Sequence, residues 1–196
     1  LEMMVRERTL ELEQRNRELS ELAVRDSLTG LYNHSTSIEL LEQLLQQSQR
    51  YVFPVATIMI DLDDFKLLND TWGHQLGDQA LEALSGTLTE SVRGADVVGR
   101  YGGEEFLIAM PHADVQAARE FGERLLARIR AIDLGAVRLT ASIGIAVFHP
   151  PGHRDSAKEV IRRADEALYR SKRDGRDRVT VDALSLVRRE DTGRRP

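Results

Sequence analysis

A nearly unbroken apolar run, from Val55 to Ile60, is the feature that most constrains the fold of this chain. The run is rich in β-branched residues and shows little polar–apolar alternation, which is typical of a strand buried on both faces. It ends in the acidic sequence Asp61-Leu62-Asp63-Asp64. A buried strand would hold these carboxylates rigidly, as a hard divalent cation requires. Alternatively, the acids form a polar loop in which Asp63 or Asp64 caps the next helix.

Two glycines, Gly102 and Gly103, separate two further apolar segments. This pattern predicts a β-hairpin with Gly-Gly at its tight turn, because glycine adopts positive φ angles without steric cost. Glu104 and Glu105 then open the return strand. Carboxylates beside a bare backbone would suit a metal that neutralises a large anionic ligand. Taken alone, the four residues are explained more economically as an ordinary hairpin with solvated acids.

Several polar side chains lie at positions that could bind a nucleotide. The amide of Asn69 and the carboxylate of Asp78 could read a guanine edge, although helix capping explains both residues more simply. Arg93 and Asp96 could bind a phosphate or a guanine edge, or could form an ordinary surface ion pair. None of these patterns identifies a ligand by itself.

Segments of helical periodicity alternate with apolar strands along the rest of the chain. The last of the helices carries Lys172 near its end, and Arg176 would share its face if the helix continued. One sheet with helices packed against it, an α/β sandwich, accounts for this order. The pattern predicts helices at about 33–49, 113–132 and 157–172, a glycine-punctuated loop at 73–78 that opens a further helix, and strands at 138–149 and 178–182.

The first 25 residues differ from the rest, because they are charged and contain neither glycine nor proline. Val5, Leu12 and Leu19 recur every seventh residue, and Asn16 lies in the accompanying seam. This heptad pattern predicts a dimeric coiled coil over 1–25, in which the asparagine fixes register. A solitary amphipathic helix is the alternative. We expect the charged tail at 183–196 to be disordered.

Composition excludes several classes of function. The net charge is −5, so bulk attraction to nucleic acid or to an anionic membrane is not expected. The chain has no cysteine, which excludes a disulfide framework and a cysteine-based zinc site. No apolar stretch reaches the ~18 residues of a membrane span, and no signal peptide is visible. Because the sequence begins at Leu1, we expect it to be part of a longer protein.

Each motif alone is common, but the whole series in this order is specific for one protein family. From Asp26 to about Val181 the chain resembles the GGDEF family of diguanylate cyclases, with the signature in its Gly-Gly-Glu-Glu-Phe form. The segments that carry the resemblance are Asp26–Asn33, Asp61–Asp70, Gly73-His74 with Gly77-Asp78, Gly102–Phe106, Thr140–Ala146, and Lys172 with Gly175-Arg176.

The resemblance implies a nucleotidyl-cyclase-like fold, related to the ferredoxin-like sandwich, with a mostly antiparallel central sheet flanked by helices. It implies a catalytic domain at 26–182 that condenses two GTP into cyclic di-GMP and two pyrophosphates. Each domain would hold one GTP, so a homodimer through the coiled coil would bring two half-sites together. We expect a cytoplasmic enzyme with no contact to nucleic acid or membrane by this segment, although the full-length parent could be membrane-anchored.

The resemblance also implies roles for the acidic residues. Asp61, Glu104 and the backbone carbonyl of Leu62 would bind Mg2+, with Mn2+ as an alternative. Two such ions would clamp the triphosphate and lower the pKa of the attacking 3′-hydroxyl. Glu105 would assist the metal or that hydroxyl. Lys66 would stabilise charge on the triphosphate.

The remaining implied roles concern the nucleotide and the product. Asn69 and Asp78 would read guanine, and His74 would be a further substrate-binding residue. The Arg93-x-x-Asp96 segment falls where the family places its product-inhibition site for cyclic di-GMP. The groups expected to hold the β- and γ-phosphates are the backbone N–H groups of Asp63, Asp64 and Phe65 and the side chains of Lys172 and Arg176. The candidates for a second inhibitory arginine are Arg119, Arg124 and Arg128.

The chain departs from the family pattern at a few positions. His34 and Ser35 stand where basic residues are common, Asp64 where an aromatic residue or histidine is common, and Asp177 where asparagine is usual. None of these replaces an acid proposed for the metal. Two other classes remain open: a non-catalytic receptor for GTP or cyclic di-GMP, and a purely structural dimerisation module.

Overall fold

The computed structural model describes residues 24–150 and 155–186. These residues form a five-stranded sheet in the order β2-β3-β1-β4-β5. The predicted coiled coil therefore lies almost entirely outside the described residues. In chain order the elements are α1 (His34–Tyr51), β1 (Val55–Leu62), α2 (Phe65–Trp72), α3 (His74–Ser91), β2 (Val97–Arg100), β3 (Glu105–Pro111), α4 (Val115–Arg130), β4 (Ala141–Phe148), α5 (Ala157–Arg173) and β5 (Val179–Val181).

The apolar run forms the central strand β1, as predicted. All eight of its residues are buried, and it pairs antiparallel with both β3 and β4. Only the edge strand β5 runs parallel to its neighbour. The predicted α/β sandwich with a mostly antiparallel sheet is confirmed. Within the described residues no helix is long and apolar enough to cross a membrane.

Helices cover both faces of the sheet. Apolar side chains of α3 and α4 pack with one face of β1, β3 and β4, and those of α1 and α5 pack with the other. On the second face α5 lies very close to Gly144 of β4. A Cβ at this glycine would lie 2.1 Å from the carbonyl oxygen of Ala164 and 2.2 Å from the backbone nitrogen of Leu168. The absence of a side chain at Gly144 therefore allows the short distance between α5 and β4.

The centre of β1 holds one polar defect. Thr57 is fully buried, and its hydroxyl oxygen has no hydrogen-bond partner among the described residues. We expect Thr57→Val to raise the free energy of unfolding by about 1 kcal/mol, because valine keeps the shape and removes an unsatisfied polar atom. Denaturant unfolding would measure the change. Thr180→Val is the matched control: its hydroxyl accepts a hydrogen bond from Ser171 Oγ at 2.7 Å, so its loss should not stabilise.

The hairpin forms, but the conformational reason given for its glycines is wrong. β2 and β3 pair antiparallel, and residues 101–104 connect them. Neither Gly102 nor Gly103 has a positive φ angle. Instead, a Cβ at Gly102 would lie 2.7 Å from Glu105 Oε2. A larger residue at this position would require the Glu105 carboxylate to move.

Two element boundaries differ from those predicted. The loop expected at 73–78 is a single residue, Gly73 (φ 85°), because α3 already begins at His74. Residues 183–186, assigned to the tail, form a helical turn whose Ser185 is fully buried. The packed domain therefore extends beyond β5. Helix α5 ends at Arg173, one residue from its predicted end, so Arg176 lies beyond the helix and does not share a helical face with Lys172.

Candidate active site

The carboxylate of Asp61 lies at the C-terminal end of β1, where three strands meet. Asp61 pairs with Glu105 on β3 and with Ser142 on β4. The side chain is buried, and its Oδ2 lies 2.7 Å from Lys172 Nζ at the end of α5. Burial raises the pKa of Asp61 to about 6; the lysine lowers it, and the charges of Glu104 and Glu105 raise it. The carboxylate is thus held in a site that favours an added cation.

Arg100 fixes the tip of the hairpin that carries these glutamates. Its Nε and Nη2 donate to the carbonyl oxygen of Gly103 at 3.0 and 2.7 Å. Its Nη1 donates to both carboxylate oxygens of Asp26 at 3.1 and 3.2 Å. Burial would raise the pKa of Asp26, but hydrogen bonds from Thr29 and Arg100 bring it below its ordinary value. The ion pair therefore ties the N-terminal turn of the domain to the signature motif.

The backbone of the motif is also tied to β1. The N–H of Leu62 donates to the carbonyl oxygen of Glu104 at 3.3 Å. Glu104 therefore emerges beside the end of β1, and its charge acts on Asp61. The side chains of Glu104 and Glu105 are half-buried.

The donor set suits a hard divalent cation. Two carboxylates, Asp61 and Glu104, lie beside the backbone of Leu62, and all three can offer oxygen, which Mg2+ and Mn2+ prefer. In the part of the chain that the structure describes, no three His, Asp or Glu side chains form a metal-holding group. The remaining ligands of a bound ion would thus have to come from water or from a phosphate. Mg2+ commonly binds in this way, through few carboxylates plus substrate phosphates.

Asp63 connects the loop after β1 to two neighbouring segments. Its carboxylate accepts hydrogen bonds from Thr140 Oγ1 at 2.9 Å, from Ser142 Oγ at 2.7 Å and from the N–H of Asp177 at 3.0 Å. Its own N–H donates to the carbonyl oxygen of Thr140 at 2.9 Å. This N–H is thus occupied by a protein carbonyl. Of the three backbone groups predicted to hold phosphates, those of Asp64 and Phe65 remain the better candidates.

The side chain of Asn69, on α2, packs against Gly77 of α3. Asn69 Oδ1 is buried and has no hydrogen-bond partner among the described residues. A Cβ at Gly77 would lie 1.9 Å from this oxygen, so only glycine leaves it room. Asp78, the next residue of α3, is exposed. A buried acceptor without a donor costs free energy, and a ligand with N–H groups would satisfy it.

The other predicted nucleotide residues lie on α2, at the start of α3 and after α5. Lys66 is exposed in the first turn of α2, and His74 is exposed at the start of α3. Arg176 lies beyond α5, and its Nε is 3.4 Å from Asp64 Oδ1. Both predicted phosphate-binding cations, Lys172 and Arg176, are thus paired with carboxylates from the end of β1.

Arg93 and Asp96 form a closed turn between α3 and β2. The N–H of Arg93 donates to Asp96 Oδ2 at 2.8 Å, and the N–H of Asp96 donates to the carbonyl oxygen of Arg93 at 3.0 Å. The guanidinium of Arg93 is therefore not needed to close the turn, and the side chain is exposed.

The three candidate arginines of α4 differ in their surroundings. Arg128 donates to Ser91 Oγ at 2.9 Å and to Glu90 Oε2 at 2.6 Å, which places it beside the turn of Arg93. Arg119 and Arg124 are exposed on the same helix.

The sequence did not predict the residues that hold the signature motif in place. The Arg100–Asp26 pair joins residues 74 positions apart, and no spacing rule predicts it. The position of Arg100 next to the signature was the one available signal. His34, noted as a departure from the family pattern, packs its ring 4.6 Å from that of Tyr101, which precedes the signature glycines.

Comparison with known proteins agrees with this geometry. Residues 23–178 match the family described as diguanylate cyclase, GGDEF domain. The chain belongs to this family.

Individual relatives cover most of the chain. Diguanylate cyclase DgcP of Pseudomonas aeruginosa is 39% identical over 163 residues, which are 81% of this chain and 24% of DgcP. Probable diguanylate cyclase DgcC of Escherichia coli is 35% identical over 175 residues, which are 88% of this chain and 47% of DgcC. This chain therefore spans less than half the length of these two relatives.

A solved structure matches nearly the whole chain. The coiled coil and GGDEF domain of DgcB from Caulobacter crescentus, in complex with c-di-GMP, is 30% identical. The match has a TM-score of 0.82 and covers 92% of this chain and 98% of that one.

Proposed function

We propose that this chain is a diguanylate cyclase domain that condenses two GTP into cyclic di-GMP at the interface of two copies. The observation that carries the proposal is the convergence of Asp61, Glu104 and Lys172 at one end of the sheet. Two carboxylates can hold a metal there, and a lysine can bind a phosphate. The names of the relatives and the cyclic di-GMP bound to DgcB support the same reaction.

The buried amide oxygen of Asn69 supports guanine as the base. This Oδ1 has no partner among the described residues and needs a donor, and the N–H and NH2 groups of guanine lie side by side. Asp78 follows Gly77 on α3, and its carboxylate accepts from such donors. The base would then lie at the α2–α3 end, with the triphosphate toward β1.

The residues around β1 would bind and orient the triphosphate. Mg2+ or Mn2+, held by Asp61, Glu104 and the carbonyl of Leu62, would neutralise phosphate charge and lower the pKa of the 3′-hydroxyl. Lys172 and Arg176 would exchange their carboxylate partners for the β- and γ-phosphates. The same phosphates would be contacted by the backbone N–H groups of Asp64 and Phe65 and by the side chain of Lys66. Glu105 would assist the metal or the hydroxyl.

The reaction itself requires two facing copies. Each 3′-oxygen forms a bond to the α-phosphorus of the opposing nucleotide as the bond to pyrophosphate breaks. The product is one cyclic di-GMP and two pyrophosphates for every two GTP. Because each copy supplies one half-site, the rate depends on how often two copies meet.

The direct test incubates the purified chain with GTP and Mg2+ after removal of any bound product. We expect cyclic di-GMP and pyrophosphate in a one-to-two ratio, measured by chromatography. The same incubation with ATP is the control for base choice. Binding of GTP or cyclic di-GMP without turnover by a confirmed dimer would contradict the proposal and favour a receptor.

The turn of Arg93 and Asp96 is proposed as the site of product inhibition. We expect Arg93→Ala to raise the cyclic di-GMP concentration for half-inhibition by about tenfold or more, because a charge-assisted contact is lost. The backbone N–H that closes the turn remains in the variant. Initial rates with added cyclic di-GMP would measure the shift, with Lys158→Ala, an exposed change on α5, as the control. Unchanged inhibition would exclude Arg93 from the inhibitory site.

The N-terminal segment is proposed as a coiled coil that pairs two domains. We expect removal of residues 1–22 to lower the specific activity at dilute protein, because the half-sites then meet only by diffusion. The cut spares Val24 and Arg25, which contact Asn33 and Tyr32. Activity is measured against protein concentration, and fusion to an unrelated dimeric coiled coil is the control. Equal activity at every concentration would contradict the pairing role.

A further inference from the structure

We propose that Arg130, in the last turn of α4, is a positioning residue that orients the loop presenting Arg176 to the triphosphate. This inference rests on the function proposed above. Arg130 itself touches none of the groups assigned to the nucleotide. It acts through Asp177, the residue that follows Arg176.

The loop has a backbone conformation that needs support. Gly175, Arg176 and Asp177 have φ angles of 114°, 62° and 47°. Two successive non-glycine residues are thus left-handed, and each costs about 1–2 kcal/mol in that conformation. The loop would relax unless its surroundings held it, and the direction of the Arg176 side chain would change with it.

Several of the contacts that hold the loop are made by Asp177. Arg130 Nε donates to both carboxylate oxygens at 2.9 Å, and Arg130 Nη2 donates to the carbonyl oxygen at 3.2 Å. On the other side, the N–H of Asp177 donates to Asp63 Oδ2 at 3.0 Å. Asp177 is therefore fixed at its side chain, its N–H and its carbonyl. Arg176 is held by its own N–H, which donates to the carbonyl oxygen of Ser171 at 2.9 Å, and by its carbonyl, which accepts from Arg178 Nε at 3.0 Å. The contacts of Asp177 fix the other end of this strained pair of residues.

The arrangement favours orientation rather than global stability as the role of Arg130. Its side chain is 43% exposed and that of Asp177 is 36% exposed. Ion pairs this exposed contribute little to the free energy of unfolding. A guanidinium that binds a carboxylate through Nε and also a backbone oxygen nevertheless specifies one geometry, which lysine cannot reproduce.

The sequence of this chain differs from the family pattern at Asp177, and Arg130 balances the difference in charge. Asp177 stands where the family pattern usually has asparagine, and the structure supplies a cation opposite the added charge. Without Arg130, the negative charge of the Asp177 carboxylate would lose its paired cation. Asp177 directly follows Arg176, near which phosphates are proposed to bind. The orientation of the loop and its charge balance therefore depend on the same side chain.

The experiment compares binding of two nucleotides to the full chain in Mg2+, by calorimetry. The probes are 3′-deoxy-GTP and 3′-deoxy-GMP, which lack the attacking hydroxyl and cannot cyclise. We expect Arg130→Ala to weaken 3′-deoxy-GTP binding about fivefold to tenfold and to leave 3′-deoxy-GMP binding unchanged. Arg130→Lys should recover only part of the loss. Arg162→Ala is the control, an exposed arginine paired with Glu159 and Glu166 on α5.

Combination with Arg176→Ala tests whether Arg130 acts through that residue. In the Arg176→Ala background, Arg130→Ala should have no further effect on 3′-deoxy-GTP binding, and in the Asp177→Asn background its effect should shrink. An equal loss for both nucleotides, or full additivity with Arg176→Ala, would overturn the inference. If the unmutated chain binds neither nucleotide and makes no product, the proposed function fails instead, so the two failures are distinguishable.

Discussion

Glu104→Gln is expected to lower cyclic di-GMP synthesis by more than about a hundredfold, because the change removes a proposed metal ligand. Mutation of residues that only support metal ligands already lowers metal affinity or activity by up to about a hundredfold. Glutamine keeps the size of the side chain but not its charge. The carbonyl oxygen of residue 104 still accepts from Leu62, and Arg100 still holds Gly103, so the hairpin should keep its place. Initial rates with GTP and Mg2+ measure the effect.

Two further measurements separate a lost ligand from a damaged fold. Glu123→Gln, an exposed change on α4, should leave the rate unchanged. The melting temperature of Glu104→Gln should equal or exceed that of the unmutated chain, because one of the negative charges near Asp61 is removed. Retained turnover in Glu104→Gln would contradict the metal assignment.

Gly144→Ala is expected to have the largest effect on stability. The new Cβ would overlap the carbonyl oxygen of Ala164 and the backbone nitrogen of Leu168, and backbone atoms cannot move aside as a side-chain tip can. Overpacking of this kind costs about 3 kcal/mol or more. For a chain of this size, such a loss corresponds to about 6–12 °C in melting temperature. Calorimetry of the unliganded chain would measure it.

Gly86→Ala is expected to have the opposite effect on the stability of the same protein. Gly86 lies in α3, and a Cβ there has no atom within 4 Å. The substitution should stabilise the protein by about 0.5–1 kcal/mol, because alanine loses less backbone entropy than glycine in a helix. If Gly144→Ala proved as harmless as Gly86→Ala, the close approach of α5 to β4 would be wrong.

The sequence predicted the elements whose cause is local. The run from Val55 to Ile60 gave β1, and Asn33 caps α1 by accepting from the N–H of Thr36. The acids of the candidate site were predictable for a related reason. They sit at the ends of strands, and strand order then brings Asp61 beside Glu105.

The contacts between distant segments could not be predicted. Arg100 meets Asp26 and Arg130 meets Asp177 across 74 and 47 positions, and such pairs depend on how helices and strands are placed in space. The end of α5 illustrates the same limit. Helical spacing would have placed Lys172 and Arg176 on one face only if the helix continued, whereas a left-handed loop follows α5 and gives them separate carboxylate partners.

If the proposed roles hold, the two carboxylate pairs at the end of β1 would make the binding of metal and the binding of nucleotide thermodynamically linked. While Asp61 holds Lys172 and Asp64 holds Arg176, the cations offer little net field to a lone anion. A metal that takes Asp61 releases Lys172 for a phosphate, and a phosphate that takes Lys172 releases Asp61 for the metal. By reciprocity, each ligand raises the affinity of the other by the same factor. A site with these proposed roles would favour a metal–triphosphate complex over free phosphate or metal alone.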